Sequence, residues 1–435
     1  MQRNRLRQVD EVLKKMAARL STTSLHSLMH EPERSQFIYK FEDLTVDCTR
    51  QLLDYDVLAA LLHLAENCQM QTRIDEIFSG APVNITEHKP VQHMAVRTPD
   101  YRASVAYQKL SAFAESVRHK PEITTVVNLG VGGSALGPKM ATQALAGYHD
   151  GPVCHFVGNI CPTDLHDVLV KCDPHKTLFI VTSKTFTTEE TLANSMVAKH
   201  WLEQHGVDAD TVMVAVTAAG ARARAWGIHP DHIFAFDDGI GGRYSVWSSV
   251  GLSVMIAIGS ENFSRMLAGA HAMDCHVRHA ELEQNIAVIM GLLRVWCRRY
   301  LQLPTYGLIP YDQRLTAFPA WAQQLEMESN GKSVDRQGHP LPLPAGPLIW
   351  GATGTTAQHS FFQWLHQSVD ISPIDILVAI QPASGLDDQI WHDHHKSLAI
   401  NAVAQVEALA SGAPNLAEPH RHFSGNRPSV MICWD

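Results

Sequence analysis

From residue 123 onward, short β-branched segments alternate with helical segments, and this alternation constrains the fold more than any other feature of the chain. The first series reads "ITTVVNLG", "PKMATQALAG", "VCHFVGN", "TDLHDVLVKC", "TLFIVTS", "TTEETLANSMVAKHWLEQH" and "TVMVAVTA". Strands that alternate with helices predict a parallel sheet with helices on both faces. After a helical stretch near 246–300, a second series runs from "TYGLIPY" to "PSVMICWD".

We therefore predict an α/β protein with two tandem doubly wound parallel-sheet domains and a helical N-terminal segment. A chain of 435 residues is too long for one ordinary core. Helical spacing, clearest in "VLAALLHLAENC", extends to about residue 95. The predicted parts are a helical segment, 1–95, which packs on the larger domain, a smaller domain, 96–255, and a larger domain, 256–435.

Composition excludes several classes of partner. The formal net charge is −9 and no run of Lys or Arg appears, which argues against nucleic acid. Eight cysteines without a C-x-x-C pair predict reduced thiols in a reducing compartment. No stretch approaches the roughly 18 uninterrupted apolar residues of a membrane helix, and the cationic start lacks the apolar core of a signal peptide. We expect a soluble, cytoplasmic protein that binds small molecules.

The stretch "VNLGVGGSALGP" follows the first predicted strand and has two interpretations. Gly130, Gly132 and Ala135 fit the G-x-G-x-x-A fingerprint of a dinucleotide-binding turn. That site needs an acidic residue after the next strand, but "VCHFVGNI" carries only Asn159 at its tip. Free backbone N–H groups around Ser134 instead favour an anion without adenosine attached. A tight turn without any ligand is the alternative.

A second candidate anion site follows the strand "TLFIVTS". Its polar residues are Ser183, Lys184, Thr185, Thr187 and Thr188. Thr187 and Glu190 fit a capping box, which is a sufficient structural explanation for that one threonine. Several hydroxyl groups at a helix start, next to the end of a strand, suit the oxygens of a phosphate. The two loops together therefore predict a phosphorylated ligand.

Two titratable residues lie near predicted helix ends. "LEMESNGKSVD" places Glu328 at the end of a helix, where the dipole disfavours the ionised carboxylate and suits a general base. "WGATGTTAQHSFFQWLHQ" places His359 in the first turn of a helix opened by Thr355 or Thr356, where the dipole favours a neutral imidazole. An ordinary surface glutamate and an ordinary histidine are the alternatives.

Two further groups carry charge or metal-binding potential. "DDGIGGRYSVW" presents Arg243 after a Gly–Gly turn, either as a fixed cation for a developing oxyanion or as an interdomain ion pair. The "HDHH" run at 392–395 lacks the i, i+4 spacing of helical zinc motifs. We therefore predict a solvated helix start there, and no metal.

The motifs occur in an order that resembles one family, glucose-6-phosphate isomerase (phosphoglucose isomerase). The resemblance rests on "GVGGSALGP", "SKTFTTEET", "GGRYSVWSSVGL", "QQLEMESNGKSVD" and "TGTTAQHSFFQWLHQ", and covers about residue 123 to the end. It implies sugar-isomerase (SIS) domains that interconvert glucose 6-phosphate and fructose 6-phosphate through a cis-enediol, in glycolysis and gluconeogenesis. That proton transfer needs no metal and no redox cofactor.

The resemblance also implies a role for individual residues. Glu328 would move the proton between C2 and C1, Arg243 would stabilise the intermediate, and Gln324 would contact the substrate. His359 would assist ring opening in the neighbouring subunit's site, which implies a homodimer. The positions that match the family's phosphate site are Gly133, Ser134, Ser183, Lys184, Thr185 and Thr188.

The sequence departs from the family at one motif. The family's C-terminal "FDQxGVExGK" motif, whose lysine helps to open the sugar ring, has no match here. We expect weaker activity on the closed-ring sugar than on an open-chain analogue, and apolar surface where that segment would pack. The alternatives are a non-catalytic sugar-phosphate-binding regulator of the same fold and an isomerase of another hexose phosphate, such as mannose 6-phosphate.

Overall fold

The structure is a computed structural model that describes residues 2–435. Its strands are β1 (Ile38–Phe41), β2 (Leu44–Asp47), β3 (Thr125–Leu129), β4 (Val153–Val157), β5 (Thr177–Thr182), β6 (Met213–Val216), β7 (Ile233–Phe234), β8 (Thr305–Pro310), β9 (Leu348–Trp350), β10 (Ile374–Ala379) and β11 (Ser429–Trp434).

Helices connect most of these strands. They are α1 (Gln2–Leu20), α2 (Leu25–Met29), α3 (Tyr55–Asn67), α4 (Met70–Phe78), α5 (Pro99–Ala103), α6 (Val105–Arg118), α7 (Leu136–Ala144), α8 (Pro162–Leu169), α9 (Glu189–Gln204), α10 (Ala209–Val212), α11 (Gly220–Trp226), α12 (Leu252–Ile258), α13 (Ser260–His279), α14 (Ile286–Val295), α15 (Phe318–Gln323), α16 (Gly354–Gln358), α17 (Phe362–Gln367) and α18 (Gln389–Ser411). None of the helices described for residues 2–435 is long and apolar enough to cross a bilayer.

The chain folds into two compact units. The first unit is Glu76–Cys275, and the second combines the residues up to Asp75 with His276–Asp435. The divisions predicted at 95/96 and 255/256 fall inside regular elements. A 3-10 turn covers Ala95–Arg97, and residues 255 and 256 lie in α12, which is buried throughout. Domain boundaries fall in exposed linkers, so a buried helix does not mark one.

The first unit contains the predicted doubly wound sheet. Five parallel strands lie in the order β4-β3-β5-β6-β7. Strands β5 and β6 are buried along their whole length, as expected where helices cover both faces. From β3 the chain adds β4 on one side and then β5 on the other. Ligands bind at such a switch point, beyond the carboxyl ends of the strands.

The second unit contains a mixed sheet in the order β1-β2-β11-β10-β8-β9. Strands β9, β8, β10 and β11 are parallel, as predicted. Strands β1 and β2 form a hairpin that joins β11 in the antiparallel direction. The expectation of a purely helical segment 1–95 is therefore wrong. Its hairpin turn uses Glu42, with φ of 48°, and Asp43, and lacks the Asn-Gly signal that identifies such turns.

This second sheet repeats the winding of the first. The chain adds β9 on one side of β8 and then β10 on the other, which places a second switch point between β8 and β10. Buried side chains such as Ile309, Ile376, Val406 and Leu409 form the core between this sheet and α18. The loops that follow β8 and β9 lead to the predicted base and to the predicted histidine.

Candidate active site

The glycine-rich loop after β3 packs backbone against backbone. The chain turns through the 3-10 segment Gly132–Ser134 and enters α7. A Cβ on Gly133 would lie 2.1 Å from the carbonyl carbon and oxygen of Gly242. Only glycine therefore lets this loop approach the 3-10 segment Gly242–Trp247, which carries Arg243. The two predicted sites from distant parts of the chain meet here.

The loop after β5 gathers the predicted hydroxyl groups. The Ser183 and Thr188 hydroxyl oxygens lie 3.0 Å apart, and those of Thr185 and Thr187 lie 2.7 Å apart. Ser183 Oγ also accepts a hydrogen bond from the Phe186 amide at 3.1 Å. Phe186 has a positive φ of 50°, and its side chain is buried. The turn at this residue brings the hydroxyl groups together.

The predicted capping box in this loop is wrong. Helix α9 begins at Glu189 with Thr188 as its N-cap, and the Thr188 side chain makes no capping hydrogen bond. Thr187 lies before the cap and pairs with Thr185 instead. Because the helix starts one residue later than the pattern suggested, Glu190 is the second residue of the helix and not the third, as a capping box requires. The hydroxyl groups are therefore not used to cap α9.

Asn128 connects the two loops and is not among the site residues predicted from the sequence. Its side chain is fully buried in β3. Asn128 Nδ2 donates to the carbonyl of Ser134 at 3.0 Å, and its Oδ1 accepts from Thr182 Oγ1 at 3.2 Å. Thr182 directly precedes Ser183, so one amide sets the spacing of both loops. The available signal was a polar residue inside the apolar run "VVNLG", since buried polar groups need partners.

The backbone around Lys184 is held from several directions. The Lys184 ammonium lies 3.2 Å from Asp238 and 3.6 Å from Glu87. Its carbonyl accepts from the Ala218 amide at 3.1 Å and from Thr217 Oγ1 at 3.2 Å. Two carboxylates therefore pair with the lysine charge. The hydrogen bonds to the Lys184 carbonyl hold the loop backbone beside the end of β6.

The tip of β4 supports the argument against a dinucleotide. Asp164 Oδ2 accepts hydrogen bonds from the amides of Gly158 and Asn159, both at 3.1 Å. This carboxylate caps the strand tip. It is therefore committed to the backbone and not placed as a ribose partner.

Arg243 lies among aromatic and cationic groups of the first unit. Its guanidinium lies 5.0 Å from the centre of the Tyr244 ring, and His93 stacks on that ring at 4.8 Å. Burial lowers the pKa of His93 to about 4, and the charges of Arg97 and Arg243 act in the same direction. Arg97 pairs with Asp274 at 2.7 Å. The predicted cation thus lies on a 3-10 segment beside the glycine loop.

In the second unit, Glu328 and Gln324 are in contact. Helix α15 continues through a π-helical segment, Gln324–Glu328, and helical structure ends at residue 330. The Gly331 amide donates to Met327 O at 2.8 Å, so Gly331 follows the helix end as predicted. Gln324 Nε2 donates to Glu328 Oε2 at 2.9 Å. Single π turns occur frequently at functional sites.

The interpretation of His359 as a residue of a first helical turn is wrong. Helix α16 begins at Gly354 after the N-cap Thr353, and His359 is its C-cap. A Cβ on Gly354 would lie 2.4 Å from the Tyr311 ring, so close packing fixes where this short helix begins. His359 is exposed, and it follows β9, the strand next to β8.

The "HDHH" run lies in the first turns of α18. His395 bonds through Nε2 to the carbonyl of Ala379 at 3.0 Å, and Asp393 accepts from Gln389 at 3.0 Å. Across residues 2–435, no group of three or more His, Cys, Asp and Glu side chains is arranged to hold a metal ion.

Comparison with known proteins agrees with this geometry. The family model described as phosphoglucose isomerase matches residues 47–435. A glucose-6-phosphate isomerase of Xanthobacter autotrophicus is 42% identical over 94% of this chain and 81% of its own length. That of Agrobacterium fabrum is 39% identical over 98% and 85%. The crystal structure of a glucose-6-phosphate isomerase from Chlamydia trachomatis is 32% identical, with a TM-score of 0.89 over 98% of this chain and 86% of that one. The chain therefore belongs to the phosphoglucose isomerase family.

Proposed function

We propose that this protein interconverts glucose 6-phosphate and fructose 6-phosphate, a step shared by glycolysis and gluconeogenesis. The observation that carries the proposal is the position of the hydroxyl-rich loop and the glycine-rich loop, which follow β5 and β3 at the switch point between these strands. Relatives 39% and 42% identical that are named glucose-6-phosphate isomerase supply the identity of the substrate.

The loops that follow β3 and β5 would hold the phosphate. Hydroxyl groups gathered beside uncapped helix amides bind phosphate oxygens well. In the glycine loop, the amides of Ser134 and Ala135 already donate to the carbonyls of Val131 and Gly132, at 3.1 and 3.0 Å, so we expect the Gly133 amide and the Ser134 hydroxyl to serve the phosphate. The residues in this role are Gly133, Ser134, Ser183, Lys184, Thr185 and Thr188, with Lys184 acting through its backbone.

Glu328 would supply the base. Glu328 takes the C2 proton of the open-chain aldose, the C–H electrons form the C1–C2 double bond of a cis-enediolate, and the C1=O π electrons move to O1. Glu328 then returns the proton to C1, while the proton of the C2 hydroxyl passes to O1 and the C2=O bond of the ketose forms. Arg243 stabilises the negative charge on the intermediate, an effect typically worth about a hundredfold in rate. Gln324, hydrogen-bonded to Glu328, orients the carboxylate and contacts the sugar. His359 assists ring opening.

A coupled assay with fructose 6-phosphate tests the base. We expect Glu328→Gln to lose about 10²- to 10⁴-fold in kcat, the usual value of a positioned general base. Glu66→Gln, which changes an exposed helical glutamate of the same unit, should keep the wild-type rate. An unchanged rate in Glu328→Gln would remove it as the base. If the protein converts mannose 6-phosphate and not fructose 6-phosphate, the proposed substrate is wrong.

We further propose a homodimer in which His359 serves the neighbouring subunit. Mixing Glu328→Gln and His359→Ala chains tests this. In a mixed dimer one site then has both intact residues, so random mixing should recover about a quarter of wild-type activity from two inactive variants. If His359 acts within its own subunit, no mixture regains activity. Exposure of His359 in the single chain supports the proposal.

A further inference from the structure

Glu326, two residues before the proposed base, points into an ion-pair network and not toward the base. Its Oε2 lies 3.7 Å from Arg294 NH1, and both side chains are largely buried, with exposures of 23% and 20%. Its Oε1 accepts a hydrogen bond from Asn330 Nδ2 at 2.8 Å. Both carboxylate oxygens therefore have partners other than Glu328 and Gln324.

Arg294, on α14, ties this carboxylate to the sheet. Its NH2 lies 3.3 Å from Oδ2 of Asp375, a residue of β10 that is 1% exposed. The Tyr306 hydroxyl, on β8, donates to Asp375 Oδ1 at 2.6 Å, and the guanidinium lies 4.5 Å from the centre of the Tyr306 ring. A buried carboxylate is costly without such partners. Tyr306 and Asp375 are each the second residue of their strand, and β8 pairs with β10, so the network is anchored at the amino-terminal ends of two neighbouring strands.

Close packing holds the same turn from another side. A Cβ on Gly346 would lie 2.9 Å from the Asn330 Cβ and 3.2 Å from Glu326 Oε1. Gln323 Nε2 donates to the carbonyl of Ile349, in β9, at 3.1 Å. A π segment departs from the regular helical ladder. Its geometry therefore depends on tertiary contacts of this kind.

We propose that Glu326 and Arg294 are positioning residues for the reaction, holding the π turn so that the Glu328 carboxylate reaches the substrate carbon in working geometry. This inference rests on the proposed function. A base displaced by about 1 Å loses on the order of a hundredfold in rate. An ion pair that only stabilises the fold would lower the unfolding free energy and leave the chemistry unchanged.

The test compares Glu326→Gln with Glu407→Gln. Glu326→Gln removes the charge and keeps an oxygen that accepts from Asn330. Glu407→Gln removes an ion pair with Arg50 in the same unit, where the side-chain exposures are 41% and 18%. With fructose 6-phosphate, we expect Glu326→Gln to lower kcat by about ten- to a hundredfold, with little change in KM. The primary isotope effect with C2-deuterated glucose 6-phosphate should rise, because proton abstraction becomes slower. Glu407→Gln should match the wild type in all three.

The outcomes are separable. If Glu326→Gln lowers only the melting temperature, or if Glu407→Gln loses kcat equally, the positioning role is refuted. Arg294→Lys keeps the charge and should retain more kcat than Arg294→Met, and equal losses in those two variants also refute it. Failure of the proposed function has a different signature, namely no turnover of either hexose phosphate by the wild type.

Discussion

The contact between Gly133 and Gly242 yields a prediction whose size follows from the structure. Replacing Gly133 by alanine places a Cβ 2.1 Å from backbone atoms of Gly242. Real Cβ contacts stay beyond about 3.0 Å, so the two turns must separate by about 0.9 Å. No flexible side chain can absorb this shift, because the obstructing atoms belong to the backbone.

Two consequences follow from that displacement. The separation moves Ser134 relative to Arg243, and a misplacement of about 1 Å in a catalytic site typically costs about a hundredfold in rate. Overpacking also lowers the unfolding free energy by about 1–3 kcal/mol. We therefore expect Gly133→Ala to fold and to lose about ten- to a hundredfold in kcat/KM for fructose 6-phosphate.

The assay is the coupled isomerase rate together with urea denaturation. The matched control is Gly269→Ala, in α13, where an added Cβ meets no atom within 4 Å. This control should keep full activity and gain up to about 1 kcal/mol of stability, because alanine has the higher helix propensity. If Gly133→Ala retains more than half of wild-type activity, the close approach is not required and the reasoning fails.

Two further predictions concern buried groups of the first unit. Asn128→Leu leaves the Ser134 carbonyl and the Thr182 hydroxyl without their partner, so we expect a loss of about 2–4 kcal/mol of stability and a raised KM. The control Asn194→Leu removes another buried asparagine that bonds a backbone carbonyl, and it should lose stability while keeping the wild-type KM. Equal KM values in the two variants would contradict this prediction. The pKa of His93, about 4, lies below the ordinary value of about 6.5, so the unfolded state binds the proton more readily. The unfolding free energy should rise by up to about 1.4 kcal/mol per pH unit between about pH 4 and pH 6.5, and should stay constant above that range. The same contribution is lost as the pH falls through this range. His93→Phe keeps the stack on Tyr244 and should show a shallower dependence in urea unfolding over this range; an identical slope would refute the assignment.

Much of the candidate site could be predicted because its parts are contiguous in sequence. Ser183, Thr185 and Thr188 follow one buried strand within a few residues, and a chain leaving a parallel strand must present them at the carboxyl edge of the sheet. Gln324 and Glu328 are one helical turn apart, which suffices to bring them together. The residue types alone therefore indicated a phosphate site and a base.

Local sequence patterns predicted the bounds of helices and strands wrongly where those bounds depended on tertiary packing. The first turn of α16 is set by Gly354 against Tyr311, which moved His359 from a predicted helix start to a helix end. The hairpin of β1 and β2 lacks a strong turn signal and is completed by β11, from the other end of the chain. Short strands of this kind gain their stability from the partner strand rather than from their own residues.

What the sequence alone determined is the alternation of strands and helices, the parallel sheets that it requires, and the residue types at the ends of the strands. These depend on side-chain periodicity and on neighbours a few positions apart. Only the tertiary structure decided that Gly133 meets Gly242, that Asn128 joins two loops, and that Glu326 reaches Asp375 through Arg294. Most of those contacts link residues 50 or more positions apart; the exceptions are Asn128 to Ser134 and Glu326 to Arg294. They exist because the folded core brings separate strands within hydrogen-bonding distance. In that core, one unpaired buried polar group or one extra carbon atom costs as much free energy as several favourable local interactions contribute.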